Sequence, residues 1–264
     1  MRAVTLLYHD VVPAGCWEAS GFQGAGADVY KLDRESFARH LEAIHAVHPG
    51  RLATAPGLIA GTAGDGKLSL TFDDGGASAL HTADALDAWG WKGHFFITAG
   101  RIGTPAFLDR RGIQELHRRG HLIGSHSYSH PARMALCSDA ELDDEWGRSA
   151  GVLEEILGEK VRIASVPGGY YSRRVAVSAA RAGIGLLFNS EPVTRAGRVE
   201  GCLVLGRFSA QRGHSPQWAA AIAAGDPRLR AREYLFWNAK KLAKGLLGNR
   251  WLRLRTHLLE RSGR

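Results

Sequence analysis

Residues 68–76 read Leu-Ser-Leu-Thr-Phe-Asp-Asp-Gly-Gly, an alternating apolar stretch that ends in two carboxylates and two glycines. Alternation of this kind predicts a half-buried β-strand, and Gly75 and Gly76 let the chain turn sharply after it. Asp73 and Asp74 should therefore stand at the carboxyl end of a strand. One carboxylate can then bind a cation while its neighbour faces a water molecule, although the same residues could also form a solvated turn.

Polar clusters follow other predicted strands in the same way. His126 and His130 come just after a strand that ends at Ser125, and residues 167–169 follow a strand near residues 161–165. About seven strand units alternate with helical patterns, which predicts an α/β fold. Clusters at three separate strand ends fit the shared mouth of a β/α barrel better than the single crevice of an open sheet.

Two helix starts can be read from the sequence. Asp33 precedes the apolar stripe of a first helix and should cap it. Ser138 and Glu141 have the spacing of a capping box before a later helix. His40 falls within the first of these helices, and we expect it to be solvated.

His126 and His130 are four residues apart and can face one point if the segment coils into a helical turn. Neutral imidazole suits Zn²⁺ and related metals, and two histidines with one carboxylate leave coordination positions open, as in catalytic sites. A non-haem Fe(II) oxygenase would use the same ligand types. It would not need the second carboxylate at Asp73, so a hydrolase is favoured.

Thr-Phe-Asp-Asp-Gly at residues 71–75, followed by His-Ser-Tyr-Ser-His at residues 126–130, resembles the polysaccharide deacetylase family. This is carbohydrate esterase family four, also called the NodB-homology domain, and the resemblance covers roughly residues 1–210. It implies a distorted (β/α)7 barrel. By position it makes Asp73 the catalytic base, and the metal ligands are Asp74, His126 and His130.

Two departures from the family pattern are evident. The third motif, usually Arg-x-Pro-x-Gly, reads Ser-Val-Pro-Gly-Gly at residues 165–169, so its arginine is missing. The late Leu-x-His pattern reads Leu-Val-Leu-Gly-Arg at residues 203–207, without a histidine. The first strand resembles that of the biofilm poly-N-acetylglucosamine deacetylases, since residues 7–11 read Leu-Tyr-His-Asp-Val. Those enzymes also lack that arginine, and a histidine on their first strand acts as the general acid. The resemblance makes His9 the general acid.

The resemblance implies a metal-dependent hydrolase that removes N-acetyl groups from an amino sugar or polysaccharide, a lipid-linked exopolysaccharide precursor being one candidate. A backbone N–H near Gly168 would hold the oxyanion, with Pro167 beside it in the substrate site. The expected cofactor is Zn²⁺, with Co²⁺ and Ni²⁺ as alternatives. A hydrolase of non-sugar amides or cyclic imides, and an inactive carbohydrate-binding relative, remain open.

The net charge of +8 belongs to the end of the chain, because residues 226–264 contain eleven basic and three acidic residues. We predict a barrel over residues 1–225 and a basic extension of amphipathic helices over residues 226–264. These helices would either pack on the barrel or lie on an anionic membrane surface. Nucleic acid is not an expected partner. Three widely spaced cysteines and the lack of a secretory signal favour a cytoplasmic location, with peripheral attachment at the inner face of the membrane as the alternative.

Overall fold

The structure is a computed structural model that describes residues 1–62 and 67–247. Its strands are β1 (Ala3–Tyr8), β2 (Val11–Val12), β3 (Leu32–Asp33), β4 (Lys67–Phe72), β5 (His94–Ile97), β6 (Leu122–Ser125), β7 (Ile163–Ser165), β8 (Leu186–Phe188), β9 (Gly197–Val199), β10 (Cys202–Leu205) and β11 (Phe208–Ser209). Its α-helices are α1 (Ala25–Asp28), α2 (Arg34–Val47), α3 (Ala55–Ala60), α4 (Ala79–Asp87), α5 (Arg110–Arg118), α6 (Asp139–Leu157), α7 (Arg173–Arg181), α8 (Pro216–Ala224) and α9 (Pro227–Leu247).

Among the described residues, nine strands form one sheet in the order β11-β1-β4-β5-β6-β7-β8-β10-β9. All neighbours run parallel except β9 and β10. The start of β1 is bridged by the segment before β9: Ala3 N donates to Thr194 O at 2.9 Å, and Ala196 N donates to Met1 O at 3.2 Å. The sheet thus curls into a distorted (β/α)7 barrel, which confirms the predicted fold class.

Both predicted helix caps are present. Asp33 Oδ1 accepts a hydrogen bond from Ser36 N at 2.8 Å at the start of α2. Ser138 and Glu141 form the reciprocal capping box that starts α6. Such side chains satisfy amide groups that have no partner within the helix, so the polar signals in the sequence fix where α2 and α6 begin.

The expectation that His40 is solvated is wrong. His40 is fully buried between α2, β1 and the segment before α8. Its Nε2 lies 2.9 Å from the carbonyl oxygen of His214, which can only accept, so Nε2 carries the proton. Its Nδ1 then accepts from the Tyr8 hydroxyl at 3.2 Å. Burial lowers the pKa of this imidazole, which makes His40 a neutral structural link.

The backbone ladder continues past the strand ends into the loops that carry the predicted chemistry. Asp73 N donates to Tyr8 O at 3.0 Å, and His126 N donates to Ile97 O at 2.8 Å. Each functional loop is therefore fixed to the carboxyl end of a neighbouring strand. The clusters that are distant in sequence share one rim of the barrel, as expected for this architecture.

The basic extension begins with α9, which is tied to α8 by a 3.1 Å hydrogen bond from Trp218 Nε1 to Glu233 Oε1. The second helix predicted for this extension, beginning near Trp251, lies outside the described residues. None of the helices described here is long and apolar enough to cross a membrane. The division into residues 1–225 and residues 226–264 stays a prediction.

Candidate metal centre

The structure brings the three predicted metal ligands together. Asp74 Oδ1 lies 3.3 Å from His126 Nε2 and 3.6 Å from His130 Nε2. One ligand atom from each of the three residues lies within 4.8 Å of the others. A tetrahedral ion with bonds of about 2.0–2.2 Å separates its ligand atoms by about 3.3–3.6 Å. The spacing therefore fits a divalent cation of that size.

The backbone of these ligands is held in an uncommon conformation. Asp74, Ser127 and His130 have φ angles of 77°, 63° and 61°, in the left-handed region that side chains other than glycine rarely adopt. A carboxylate oxygen of Glu145, on α6, accepts from the backbone amides of residues 128–129 at 2.8 Å each. Glu145 thus stabilises the segment that contains the left-handed turns at Ser127 and His130. Such backbone strain is concentrated at functional sites.

His126 is oriented by Ser165. Its Nδ1 lies 2.5 Å from Ser165 Oγ and 3.2 Å from the Ser165 carbonyl oxygen. Because the carbonyl oxygen can only accept, Nδ1 carries the proton and Nε2 is left with a lone pair for a metal, the usual arrangement of a ligating histidine. Ser165 Oγ also donates to Asp73 Oδ1 at 3.1 Å. Ser165 therefore connects the ligand His126 to the predicted base.

Arg207 forms a two-pronged ion pair with Asp73. Its Nη1 lies 2.7 Å from Asp73 Oδ1 and its Nη2 lies 2.8 Å from Asp73 Oδ2. Arg207 is fully buried, and its Nε donates to the carbonyl oxygen of Asn189 at 2.9 Å. Such bidentate pairing fixes both the position and the orientation of a carboxylate. Arg207 therefore fixes the orientation of the Asp73 carboxylate.

The sequence showed only that the usual third-motif arginine is replaced by Ser165, and it did not identify Arg207 as the replacement. Arg207 follows the buried strand β10 and comes from the segment where a late histidine was sought. The sequence feature that could have identified Arg207 is its position as a lone charged residue directly after an apolar strand. A buried charge needs a partner of opposite sign, and Asp73 was the acidic residue already assigned to the mouth.

The charges around the two carboxylates keep both ionised. Burial alone raises the pKa of Asp73, but the positive charge of Arg207, followed by that of His126, holds this pKa below its ordinary value. Burial also raises the pKa of Asp74, and the imidazoles of His126 and His9 lower it well below its usual range when they are protonated. Asp74 can thus bind a cation, and Asp73 can accept a proton.

A further buried carboxylate, that of Asp10, lies against the glycine pair. Asp10 Oδ1 accepts from Ser20 Oγ at 2.6 Å and from Ser78 Oγ at 2.8 Å. A Cβ atom at Gly76 would lie 2.0 Å from Asp10 Oδ1, and one at Gly21 would lie 1.9 Å from Asp10 Oδ2. Only glycine fits at these two positions. Asp10 therefore links the first-strand loop to the Asp73-Asp74 turn and fixes their relative position.

A cavity of about 700 Å³ opens on the metal ligands, and His9 lies in its wall with Asp73, Asp74 and the two histidines. The His9 ring lies 5.0 Å from that of Tyr30, and its Nδ1 is buried without a hydrogen-bond partner among the described residues. His9 is therefore placed where a proton donor would face the substrate. Its role as the acid stays a prediction.

Of the remaining predicted substrate residues, Gly168 lines the cavity and Pro167 lies directly before it. Gly168 has a φ of 61° and lines the cavity with Gly169. Pro167 is buried at the start of the same short 3₁₀ turn. Phe22, from the first-strand loop, places its ring 4.6 Å from that of His130. An apolar wall thus covers one metal ligand, and a backbone turn faces the site.

The profile of the family described as polysaccharide deacetylase matches residues 60–187. A chitin deacetylase of Arthroderma benhamiae is 39% identical over 70 residues, which are 25% of this chain and 18% of that protein. This chain therefore spans less than a fifth of the length of that relative.

Two solved structures share the fold over most of their length. IcaB from Ammonifex degensii is 22% identical, with a TM-score of 0.68, and the match covers 85% of this chain and 97% of that one. The Streptococcus pyogenes deacetylase PplD is 18% identical, with a TM-score of 0.70 and coverage of 86% and 99%. At these identities the likeness establishes the fold.

Proposed function

We propose that this chain, whose residues 60–187 belong to the polysaccharide deacetylase family, is a metal-dependent hydrolase that removes N-acetyl groups from an amino sugar or polysaccharide. The observation that supports this proposal most strongly is that the ligand atoms of Asp74, His126 and His130 lie within 4.8 Å of one another. An ionised carboxylate, Asp73, lies beside them in the same cavity. The site can therefore bind a cation and also contains a separate base.

In the proposed reaction, a divalent cation held by Asp74, His126 and His130 supplies Lewis-acid chemistry, polarising a carbonyl and lowering the pKa of water. Asp73 takes a proton from the attacking water, because Arg207 fixes its oxygens and keeps them ionised. The N–H groups near Gly168 face the developing oxyanion. His9 donates a proton to the amine as the carbon–nitrogen bond breaks, and the products are acetate and an amino sugar.

We propose Zn²⁺ as the native ion, with Co²⁺ and Ni²⁺ as alternatives. Two imidazoles and one carboxylate leave an open position for substrate, which is the ligand arrangement of catalytic zinc sites. The hydrogen bond at His126 Nδ1 supports a metal at this site, since it sets the tautomer that presents Nε2 to the ion.

Removal of the metal should abolish acetate release. Treatment with a chelator is expected to lower the rate on N-acetylated saccharides by at least about 100-fold, because the cation stabilises the transition state by several kcal/mol. Re-addition of one equivalent of Zn²⁺ should restore the rate. The measurement is an acetate-release screen over chito-oligosaccharides, N-acetylglucosamine polymers and non-sugar acetamides, with metal content determined in parallel.

The screen also separates the alternatives. Turnover confined to non-sugar amides or cyclic imides would support the related hydrolase in place of the sugar deacetylase. A fully metal-loaded protein that binds saccharides and never releases acetate would support the inactive binding protein and would rule out our proposal. Aerobic turnover that requires Fe(II) would instead indicate an oxygenase.

His9→Gln should lower kcat by about 100-fold with a small change in KM, because a general acid typically contributes about 10²–10⁴-fold. Glutamine retains polar atoms but cannot donate a proton to the leaving amine. His48→Gln is the matched control, since His48 is half-buried beyond the end of α2 and does not line the cavity. Unchanged kcat in His9→Gln would assign the acid to another group.

The cytoplasmic location and the peripheral membrane contact stay predictions. A test is co-sedimentation of the full chain with anionic liposomes at low salt, where a lack of binding would argue against the membrane contact.

A further inference from the structure

One side of the catalytic cavity is formed by α9 and not by the barrel. Trp237, Lys240 and Lys241 line the same cavity as Asp73 and Asp74. Their i, i+3 and i+4 spacing places them on one face of the helix. The start of the basic extension is therefore part of the wall of the substrate site.

Two of the three acidic groups among the described lining residues lie beside fixed positive charge. Asp73 is paired with Arg207, and Glu191 lies 3.4 Å from Lys241 Nζ. Asp74 lies beside His126 and His130 and is the acid that would bind the cation with them. The negative charges of Asp73 and Glu191 are thus offset by protein groups before a substrate binds.

Further positive charge enters from two separate elements. Arg133, on the loop between β6 and α6, lines the cavity, and its Nε is buried without a hydrogen-bond partner among the described residues. Its guanidinium lies 5.8 Å from the ring centre of Tyr170. Lys240, on α9, lies 4.0 Å from the ring centre of Phe236. Cationic side chains in a concave wall attract anionic ligands, here toward the predicted metal ligands.

We propose that the substrate is an acetamido saccharide that carries a negative charge, either a phosphate or a carboxylate, close to the sugar that is deacetylated. Lys240 and Arg133 bind the anionic group, since ammonium and guanidinium donors suit phosphate and carboxylate oxygens. Trp237 supplies an aromatic face for the sugar ring. This inference rests on the proposed deacetylase function and adds the charge of its substrate.

The test compares matched substrates on the full-length, metal-loaded protein. These are N,N′-diacetylchitobiose, its 1-phosphate, and a disaccharide of glucuronic acid and N-acetylglucosamine. We expect kcat/KM at low salt to be at least about tenfold higher for an anionic member than for the neutral one. The difference should narrow at 0.5 M NaCl, where screening is strong. The phosphate and the uronate separate the two sources of charge.

Lys240→Gln decides whether α9 causes the preference, because a phosphate could also reach the metal directly. The variant should raise KM for the preferred anionic substrate by about 3- to 10-fold and should reduce the ratio of anionic to neutral kcat/KM. Lys160→Gln is the control, since Lys160 is exposed and pairs with Glu154 outside the cavity. Equal kcat/KM for the three substrates, or an unchanged ratio in Lys240→Gln, would overturn the inference.

A binding measurement distinguishes failure of this inference from failure of the proposed function. Calorimetric titration with N-acetylglucosamine and with its 1-phosphate needs no turnover. Tighter binding of the phosphate that weakens in Lys240→Gln, together with no acetate release, would retain the anionic site and reject the deacetylase. Acetate release without tighter binding of the phosphate would retain the deacetylase and reject the anionic site.

Discussion

Replacing Asp73 with Asn should lower the rate of acetate release by about 10³–10⁴-fold while the metal ligands stay in place. Asparagine is nearly the same shape and can still accept a hydrogen bond from Arg207. It cannot take a proton from water, however, because it has no charge at any working pH. Asp74, His126 and His130 are unchanged, so the loss should appear in kcat.

The measurement is kcat from acetate release, with metal content per chain and urea unfolding determined on the same sample. Asp144→Asn is the matched control, because Asp144 is an exposed carboxylate that pairs with Arg148 at 3.2 Å on α6. Asp73→Asn that keeps more than about a tenth of the wild-type kcat with a full metal complement would exclude Asp73 as the base, since general-base contributions begin near 10²-fold.

The meeting of Asp74, His126 and His130 was predictable from local signals, and the family resemblance then assigned Asp74, not Asp73, as the ligand. Asp74 follows an alternating strand, and His126 and His130 lie four residues apart after another. Strand periodicity places each group at a carboxyl end, and parallel strands bring those ends to one rim of the sheet. The expected helical turn at residues 126–130 is instead a pair of left-handed turns held by Glu145. No single residue in the sequence signals that partner.

The parts of the site that were not predicted depend on contacts between distant residues. Arg207 lies 134 positions from Asp73 in the chain, and only the curl of the sheet brings them together. The position of α9 is similar, because amphipathic spacing shows that a helix has an apolar side but does not show what that side contacts. For that reason, the sequence did not predict that Trp237 and Lys240 line the cavity.

Arg207→Met should reduce the free energy of unfolding by about 3–5 kcal/mol, because it leaves the Asp73 carboxylate buried without its partner. It should also lower kcat, since the base would lose both hydrogen bonds from Arg207 and keep only the one from Ser165 Oγ. Arg207 lies behind Asp73 and is not among the described residues that line the cavity. Its loss should therefore change KM much less than kcat.

Urea unfolding of metal-free protein measures the stability term, because a bound metal would itself shift the folding equilibrium. Arg207→Lys keeps the charge but not the two-pronged contact, so it should regain most of the stability and only part of the kcat. The double variant Asp73→Asn with Arg207→Met removes both buried charges. The double variant should be more stable than Arg207→Met and should remain inactive. That result would show that the inactivity comes from loss of the base and not from unfolding. An Arg207→Met variant with wild-type stability and kcat would show that the ion pair neither stabilises the barrel nor positions Asp73.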